Sequence, residues 1–485
     1  MSERRAWRLA LAGSALLSVL LRLRFVFTPI TSDEGGYLAV ARAWRHGKSL
    51  YTQVWVDRPQ GTLLLYRLWD VLSFGDEDHL RVISLVLGAA AVVGLAVMIA
   101  DLSGRRVAGA IAGILGALLS SAPAIEGYSA NGELLGGTFS VLCLAVAVRV
   151  LVGRANVRWM FAAGALGAIG FSMKQAGIDG LGALGLWLLI VWIAGVRSRR
   201  ETFAQLWRTA VGAVGVLLLL LLHALTLNLS DWWYAMFGYR LDSRSALKGA
   251  NFDRLWRTWS DARPLFLPMM VAAAVCAVVI VVRRRSVRFA AEKMLLPLWL
   301  VCALATFLSG GQFFHHYWVT LAFPVAALCA LVIGAAPWEL KWVSVMVAAV
   351  SILLSWGVLA FESRSDFRVS ISNETRPLKA ERVGHWLRGH LQPGETMYAM
   401  CAAAHTYAHA HADPPYPYLW FDGVRQARHS QQLLIELFQQ HPPTWVAGFD
   451  AADLCNSTGE LQAVLTASYR EVARVDGVPI YRLQP

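Results

Sequence analysis

Two adjacent carboxylates, Asp33 and Glu34, stand in the stretch SDEGGYLAVARAW, just after an apolar run at 9–28. A carboxylate placed there can take a proton from a hydroxyl or help hold a divalent ion. It can also cap the helix that the pattern predicts over 36–45, with Ser32 or Asp33 as the N-cap. Groups of the same kind recur further on. WVDRPQG carries Asp57 and Arg58, APAIEGYSANGELLGG carries Glu126 and Glu133, and FSMKQAG carries Lys174. FGYRLDSRSALKG carries Arg240, Arg244 and Lys248, and GQFFHHYW carries His315, His316 and Tyr317. Each has a bland reading alone: an isolated lysine at an apolar edge is a snorkelling anchor, and His-His-Tyr is an interfacial belt. Gathered on one membrane face, acids and bases suit the transfer of a sugar from a lipid phosphate to a hydroxyl. The hydroxyl needs a carboxylate base, and the departing phosphate needs cations at the surface rather than an acid.

The elements that must position these groups are membrane spans. Of 485 residues 56% are hydrophobic and only 16% charged, and the mean hydropathy is +0.48; a soluble chain carries about a quarter charged residues. Eleven spans are expected, at 9–28, 80–100, 107–121, 134–152, 159–172, 178–196, 210–227, 265–282, 295–309, 318–335 and 342–361. Basic residues concentrate in the short connections SGRRV, GRANVR, RSRRETFAQLWR and RRRSVRFAAEK. That places these loops and the N-terminus in the cytoplasm, and it accounts for the net charge of +12 without a nucleic-acid partner. The acid- and histidine-bearing segments then lie outside, as does everything after 361. GTLLLYRLWDVLSF reads as an amphipathic helix in the interface plane of the first outer loop. The first run suits a retained span better than a cleaved signal. Arg22 and Arg24, in the outer third of that run, either meet a lipid phosphate or snorkel to the headgroups.

The tail reads as a small extracytoplasmic α/β domain. PLKAERVGHWLRGHL, SQQLLIELFQQH and GELQAVLTASY are expected helices, TMYAM and TWVAGF strands, and REVARV with VPIYRL a hairpin around Asp-Gly. HTYAHAHADPPYPYLW, with His405, His409 and His411, is either a Pro-rich loop or a metal-binding one, and Tyr416, Tyr418 and Trp420 either stack on sugar or pack the tail core. Cys401 and Cys455 either pair or remain thiols.

In this order and topology, SDEGGYLAVARAW, DRPQG, YSANGELL, KQAG and HHY make residues 9–361 similar to the membrane glycosyltransferases of the C-type fold that use polyprenyl-phosphate sugars. That group contains the bacterial protein O-mannosyltransferases and the lipid A aminoarabinose transferase. The resemblance implies Asp33 as the acid that handles the acceptor or acts as general base, Glu34 as its supporting neighbour, and Glu133 as the second-loop acid. It implies Arg58 and Lys174 near the donor phosphate, and His316 and Tyr317 beside the lipid groove; Arg240 is a further cation for the phosphate. A divalent cation on Glu34 or Glu133 is the cofactor to consider. DRPQG departs from the Lys-Pro-Pro of many relatives, which weakens the assignment of Arg58. The tail lacks the sugar-binding repeats of eukaryotic O-mannosyltransferases, so a protein acceptor is not supported.

The expectation is therefore a polytopic α-helical membrane protein with interfacial helices in its first outer loop, residues 1–361, and a soluble α/β domain, 362–485. Its expected activity is transfer of a sugar, with inversion, from a polyprenyl-phosphate donor to an envelope glycan or glycolipid at the outer face of the cytoplasmic membrane. The alternative is a transporter or flippase of lipid-linked sugars. Internal repeats and midplane charges, the marks of that class, are not evident.

Overall fold

Apolar runs of about 20 residues can satisfy their backbone hydrogen bonds inside a bilayer only by coiling into helices, and they do so here. The computed structural model describes residues 2–243, 251–283, 290–309, 311–357, 376–401 and 403–485. Among these, nine helices are long and apolar enough to cross a membrane: Glu3–Phe27, Val82–Ser103, Gly132–Leu151, Gln175–Ala194, Arg199–Ala224, Phe252–Val282, Ala291–Ser309, His315–Ala335 and Trp338–Trp356. The other two expected spans are the shorter apolar helices Arg106–Ser120 and Trp159–Met173. Each has 15 residues, about 22 Å at helical rise, so among the described residues length supports nine of the eleven expected spans and does not confirm the other two. The span expected at 265–282 belongs to a helix that already starts at Asn251 and carries Pro264 and Pro268 inside it. The chain is a multi-pass α-helical membrane protein with a small sheet near its C-terminus.

Contacts divide it into two compact units. The first comprises Met1–Val26, Arg81–Leu221 and Leu247–Glu362. Its helices approach closely through small residues, as membrane packing favours: a Cβ added at Gly164 would lie 1.9 Å from the Thr209 carbonyl, and one at Gly109 2.4 Å from the Ala96 carbonyl. Arg22 neither snorkels nor faces lipid. It is 1% exposed and donates to Gly127 O at 3.0 Å, Ser18 Oγ at 2.6 Å, Ser121 Oγ at 2.5 Å and Ser120 O at 2.7 Å. Desolvating a guanidinium is tolerable only with acceptors on every side, and three carbonyls and three serine hydroxyls, with Ser18 and Ser120 contributing to both sets, supply them. Gly88 leaves the room, since a Cβ there would lie 2.7 Å from Arg22 Cζ.

The second unit comprises Phe27–Leu80, Leu222–Ala246 and Ser363–Pro485. Its sheet runs β1 (Met397–Ala399), β2 (Trp445–Ala447), β3 (Tyr469–Val475) and β4 (Val478–Leu483), in the order β1-β2-β4-β3. β1 and β2 are parallel, and the other pairs antiparallel. Asp476 and Gly477 have φ of 50° and 81°, the left-handed pair that a tight hairpin turn demands. The expected tail helices form at Arg376–Arg388, Ser430–Gln440 and Glu460–Ser468. The histidine-rich stretch, read as a loop, begins instead with a buried helix, His405–Ala410. Cys401 and Cys455 form a disulfide, with Cα atoms 5.2 Å apart. The first polar segment contributes the helices Ser32–Arg45 and Gln60–Leu72. The latter keeps an apolar stripe of Leu64, Leu68, Val71 and Leu72 exposed at 42–62%, the face that an interfacial helix turns to lipid.

Candidate functional site

The local sequence decides what the paired acids can do. The N-cap of the Ser32–Arg45 helix is Thr31, not Ser32 or Asp33. Thr31 Oγ1 accepts from the Glu34 amide at 3.1 Å, and the Glu34 carboxylate accepts from the Thr31 amide at 2.9 Å. This capping box turns the Glu34 side chain, fully buried, back onto the helix start and leaves Asp33 out of the cap. Asp33 Oδ2 accepts from the Tyr37 hydroxyl at 3.1 Å, and Oδ1 accepts from Trp420 Nε1 at 3.1 Å. The carboxylate stays 24% exposed.

The glycines that follow make this possible. A Cβ on Gly36 would lie 2.4 Å from Trp420 Cζ2, and one on Gly35 2.3 Å from His405 Cβ, so only bare backbone admits the tail against this helix turn. Beyond Tyr37 the charges alternate. Arg58 Nε donates to the Tyr37 hydroxyl at 2.9 Å, Arg58 Nη2 is 4.0 Å from Asp33 Oδ2, and Arg58 Nη1 donates to Asp57 Oδ1 at 2.6 Å. Arg240 Nη2 reaches Asp57 Oδ2 at 2.5 Å. Burial, with the negative charge of Asp57 and Asp422 added, pushes the Tyr239 hydroxyl well above its ordinary value, so it stays a neutral phenol. The second unit thus unites Asp33, Arg58 and Arg240 through Tyr37 and Asp57. Arg244 and Lys248 fall outside the described residues.

The first unit holds the other group. Asn131 caps the Gly132–Leu151 helix, accepting from the Leu134 amide, so Glu133 sits in the first turn where the helix dipole favours an anion. Lys174, at the end of the Trp159–Met173 helix, where a cation is favoured, pairs with Glu133. Lys174 Nζ also lies 4.3 Å from the centre of the Tyr317 ring. His316 Nδ1 is 3.2 Å from Glu126 Oε2, and its Nε2 is 3.7 Å from Glu133 Oε1. Glu133 and Lys174 are 5% and 6% exposed. Glu133 and Arg149 lie on one helix, 16 residues or about 24 Å apart at helical rise. Arg149 and Arg154 pair with Asp101 at that far end, which separates the acid–histidine group from the arginine-rich connections.

Two participants escaped the sequence reading. Tyr37 is four residues from Asp33 on a helix, a spacing that puts side chains together. Trp420, read as a sugar platform or a core residue, is a ligand of the Asp33 carboxylate, and nothing local signals a contact across 387 residues. Among the described residues the metal-ligating side chains that converge in a group of three are Glu77, His385 and His409; Glu34 and Glu133 do not belong to it.

The chain shares its fold with solved membrane glycosyltransferases at 12–15% identity. ArnT from Cupriavidus metallidurans in the apo state matches over 99% of this chain and 98% of its own, with TM-score 0.66 and 15% identity. ArnT solved with undecaprenyl phosphate matches over 98% of both chains, with TM-score 0.62 and 15% identity. The Archaeoglobus fulgidus oligosaccharyltransferase, in complex with zinc and sulfate, matches over 96% of this chain and 72% of its own, with TM-score 0.54 and 12% identity. No protein-family model and no curated protein matches the chain.

Proposed function

We propose that the protein is an integral-membrane glycosyltransferase. It moves a sugar from a polyprenyl-phosphate donor to a hydroxyl of an envelope glycan or glycolipid, at the outer face of the cytoplasmic membrane. The carrying observation is Asp33: a part-exposed carboxylate that the cap does not use, aimed by Tyr37 and Trp420, with a guanidinium 4.0 Å away. Asp33 takes the proton as the acceptor oxygen attacks the anomeric carbon. The bond from that carbon to the phosphate oxygen breaks, and its electron pair leaves with the polyprenyl phosphate. Attack opposite the leaving group inverts the anomeric centre. Arg58 and Arg240 offset the charge that the phosphate gains, and Lys174, His316 and Tyr317 serve the lipid phosphate. Glu133 fixes the Lys174 ammonium and the His316 ring. The ArnT relative solved with undecaprenyl phosphate supports a lipid-phosphate donor. A disulfide, which persists in oxidising compartments, supports an extracytoplasmic tail.

The test incubates detergent-purified protein with a panel of polyprenyl-phosphate sugars and an envelope lipid extract, and scores released polyprenyl phosphate together with labelled acceptor. Asp33→Asn should still bind donor while losing transfer by about 1,000-fold, within the range of general-base contributions. Transfer at the normal rate by that variant overturns the assignment of the base. Donor movement across a vesicle membrane without cleavage would point to the transporter alternative.

A further inference from the structure

The second unit contains a cluster that the glycosyl-transfer reading does not use. Glu77 follows the Gln60–Leu72 helix, His385 lies on the Arg376–Arg388 helix, and His409 lies on the short His405–Ala410 helix. We propose that Glu77, His385 and His409 bind a zinc ion that clasps the tail helices to the first polar segment, with His411 orienting the carboxylate.

His385 Nε2 and His409 Nδ1 face the same carboxylate oxygen, Glu77 Oε1, at 3.7 and 3.5 Å, and one donor atom of each residue lies within 4.8 Å of the others. Zinc bonds to nitrogen and oxygen are about 2.0–2.1 Å, which sets tetrahedral ligand atoms about 3.4 Å apart, so small side-chain shifts admit the ion. A second observation points to a ligand. His409 is 2% exposed, yet its Nε2 has no hydrogen-bond partner and its Nδ1 has only the long 3.5 Å contact to Glu77. A buried imidazole held by one long contact is poorly satisfied, and a metal bond at Nδ1 would replace that contact with a strong one. Glu77 is itself 3% exposed. His411 Nε2 holds the other oxygen, Oε2, at 2.8 Å, the outer-sphere contact that aims a ligating carboxylate. The His385 side chain is 47% exposed, leaving the fourth position open to water. Two imidazoles and one carboxylate suit zinc, whereas calcium and magnesium want oxygen throughout.

The clasp has a mechanical consequence. The His405–Ala410 helix is the one that Gly35 admits, and Arg42 of the Ser32–Arg45 helix donates to its Ala408 carbonyl at 2.9 Å. Fixing His409 therefore fixes the tail against the helix that carries Asp33.

The test uses tag-free, full-length protein in detergent, stripped with a chelator and titrated with zinc chloride against a chromophoric competitor. Bound metal is counted by mass spectrometry. The expected result is one zinc per chain, with affinity lowered by about 100-fold or more in Glu77→Gln and His409→Gln, and by about 10-fold in His411→Ala. His79→Ala, an exposed residue paired with Asp76, should bind as wild type. Zinc should raise the Tm of the wild-type protein and not that of His385→Ala, whose exposed site keeps that variant folded if the buried ones fail. No stoichiometric zinc, or wild-type affinity in His385→Ala, overturns the site. No donor lipid is present, so the result is independent of the proposed reaction.

Discussion

Replacing Trp420 by Phe removes one hydrogen-bond donor and little bulk. The indole Nε1 sits 3.1 Å from Asp33 Oδ1, and the ring lies 5.7 Å from that of Tyr37, a contact that phenylalanine can largely keep. A hydrogen bond to a charged group contributes about 1.5–3 kcal/mol. Asp33 is 24% exposed, so water replaces part of the loss and the lower figure applies. About 1.5 kcal/mol corresponds to roughly a tenfold slower transfer step, far smaller than the loss from Asp33→Asn. The measurement is release of polyprenyl phosphate at saturating donor, beside a thermal melt. The Tyr416→Phe variant is the control: its hydroxyl donates to the Ser430 carbonyl inside the tail, so it should lower Tm while sparing the rate. If Trp420→Phe transfers at the wild-type rate, or slows only in proportion to lost folded protein, the tail does not aim Asp33.

The Gly36→Ala variant should reproduce the Trp420 defect, because the new methyl would lie 2.4 Å from Trp420 Cζ2; the same release assay checks it, and a normal rate would contradict the close approach. Lys174→Met should cost about 3–5 kcal/mol in stability by leaving the buried Glu133 carboxylate without its ammonium partner, whereas the double variant with Glu133→Gln should regain much of it in a melt. Reducing the Cys401–Cys455 disulfide opens a loop closed across 54 residues and should cost about 4 kcal/mol on the chain-entropy model, read as a reductant-dependent fall in Tm that Cys401→Ser abolishes. Truncation after 361 should destroy the Asp33 group along with the tail, since the Ser32–Arg45 helix, buried along Glu34 to Ala43, loses its cover; limited proteolysis of 27–80 would show it.

Part of the arrangement around Asp33 was written locally. Thr-x-x-Glu at 31–34 is the capping-box pattern, and it separates the two acids into one that holds the helix and one that does not. Reading Ser32 or Asp33 as the cap overlooked the glutamate's reach back to the Thr31 amide. Tyr37 follows from helical spacing. The pairing of Lys174 with Glu133 does not, because it depends on how two apolar helices of nearly uniform hydropathy face one another, and such helices carry no amphipathic mark to orient them. The fate of Arg22 was hidden for the same reason: a guanidinium in an apolar run reads as snorkelling until serines and carbonyls from 120–127 are seen around it.

The sequence by itself determined the spans, the arginine-rich connections, and the strands and main helices of the tail, because hydropathy, charge and turn chemistry act over a few residues. Two of the expected spans, 107–121 and 159–172, form helices with nearly those bounds, Arg106–Ser120 and Trp159–Met173, and both are shorter than the other crossings. Tertiary structure alone decided that Trp420 meets Asp33, that Gly35 and Gly36 make room for the tail, and that Glu77 gathers three histidines. Those contacts join residues hundreds of positions apart, and only the free energy of packing the whole second unit selects them.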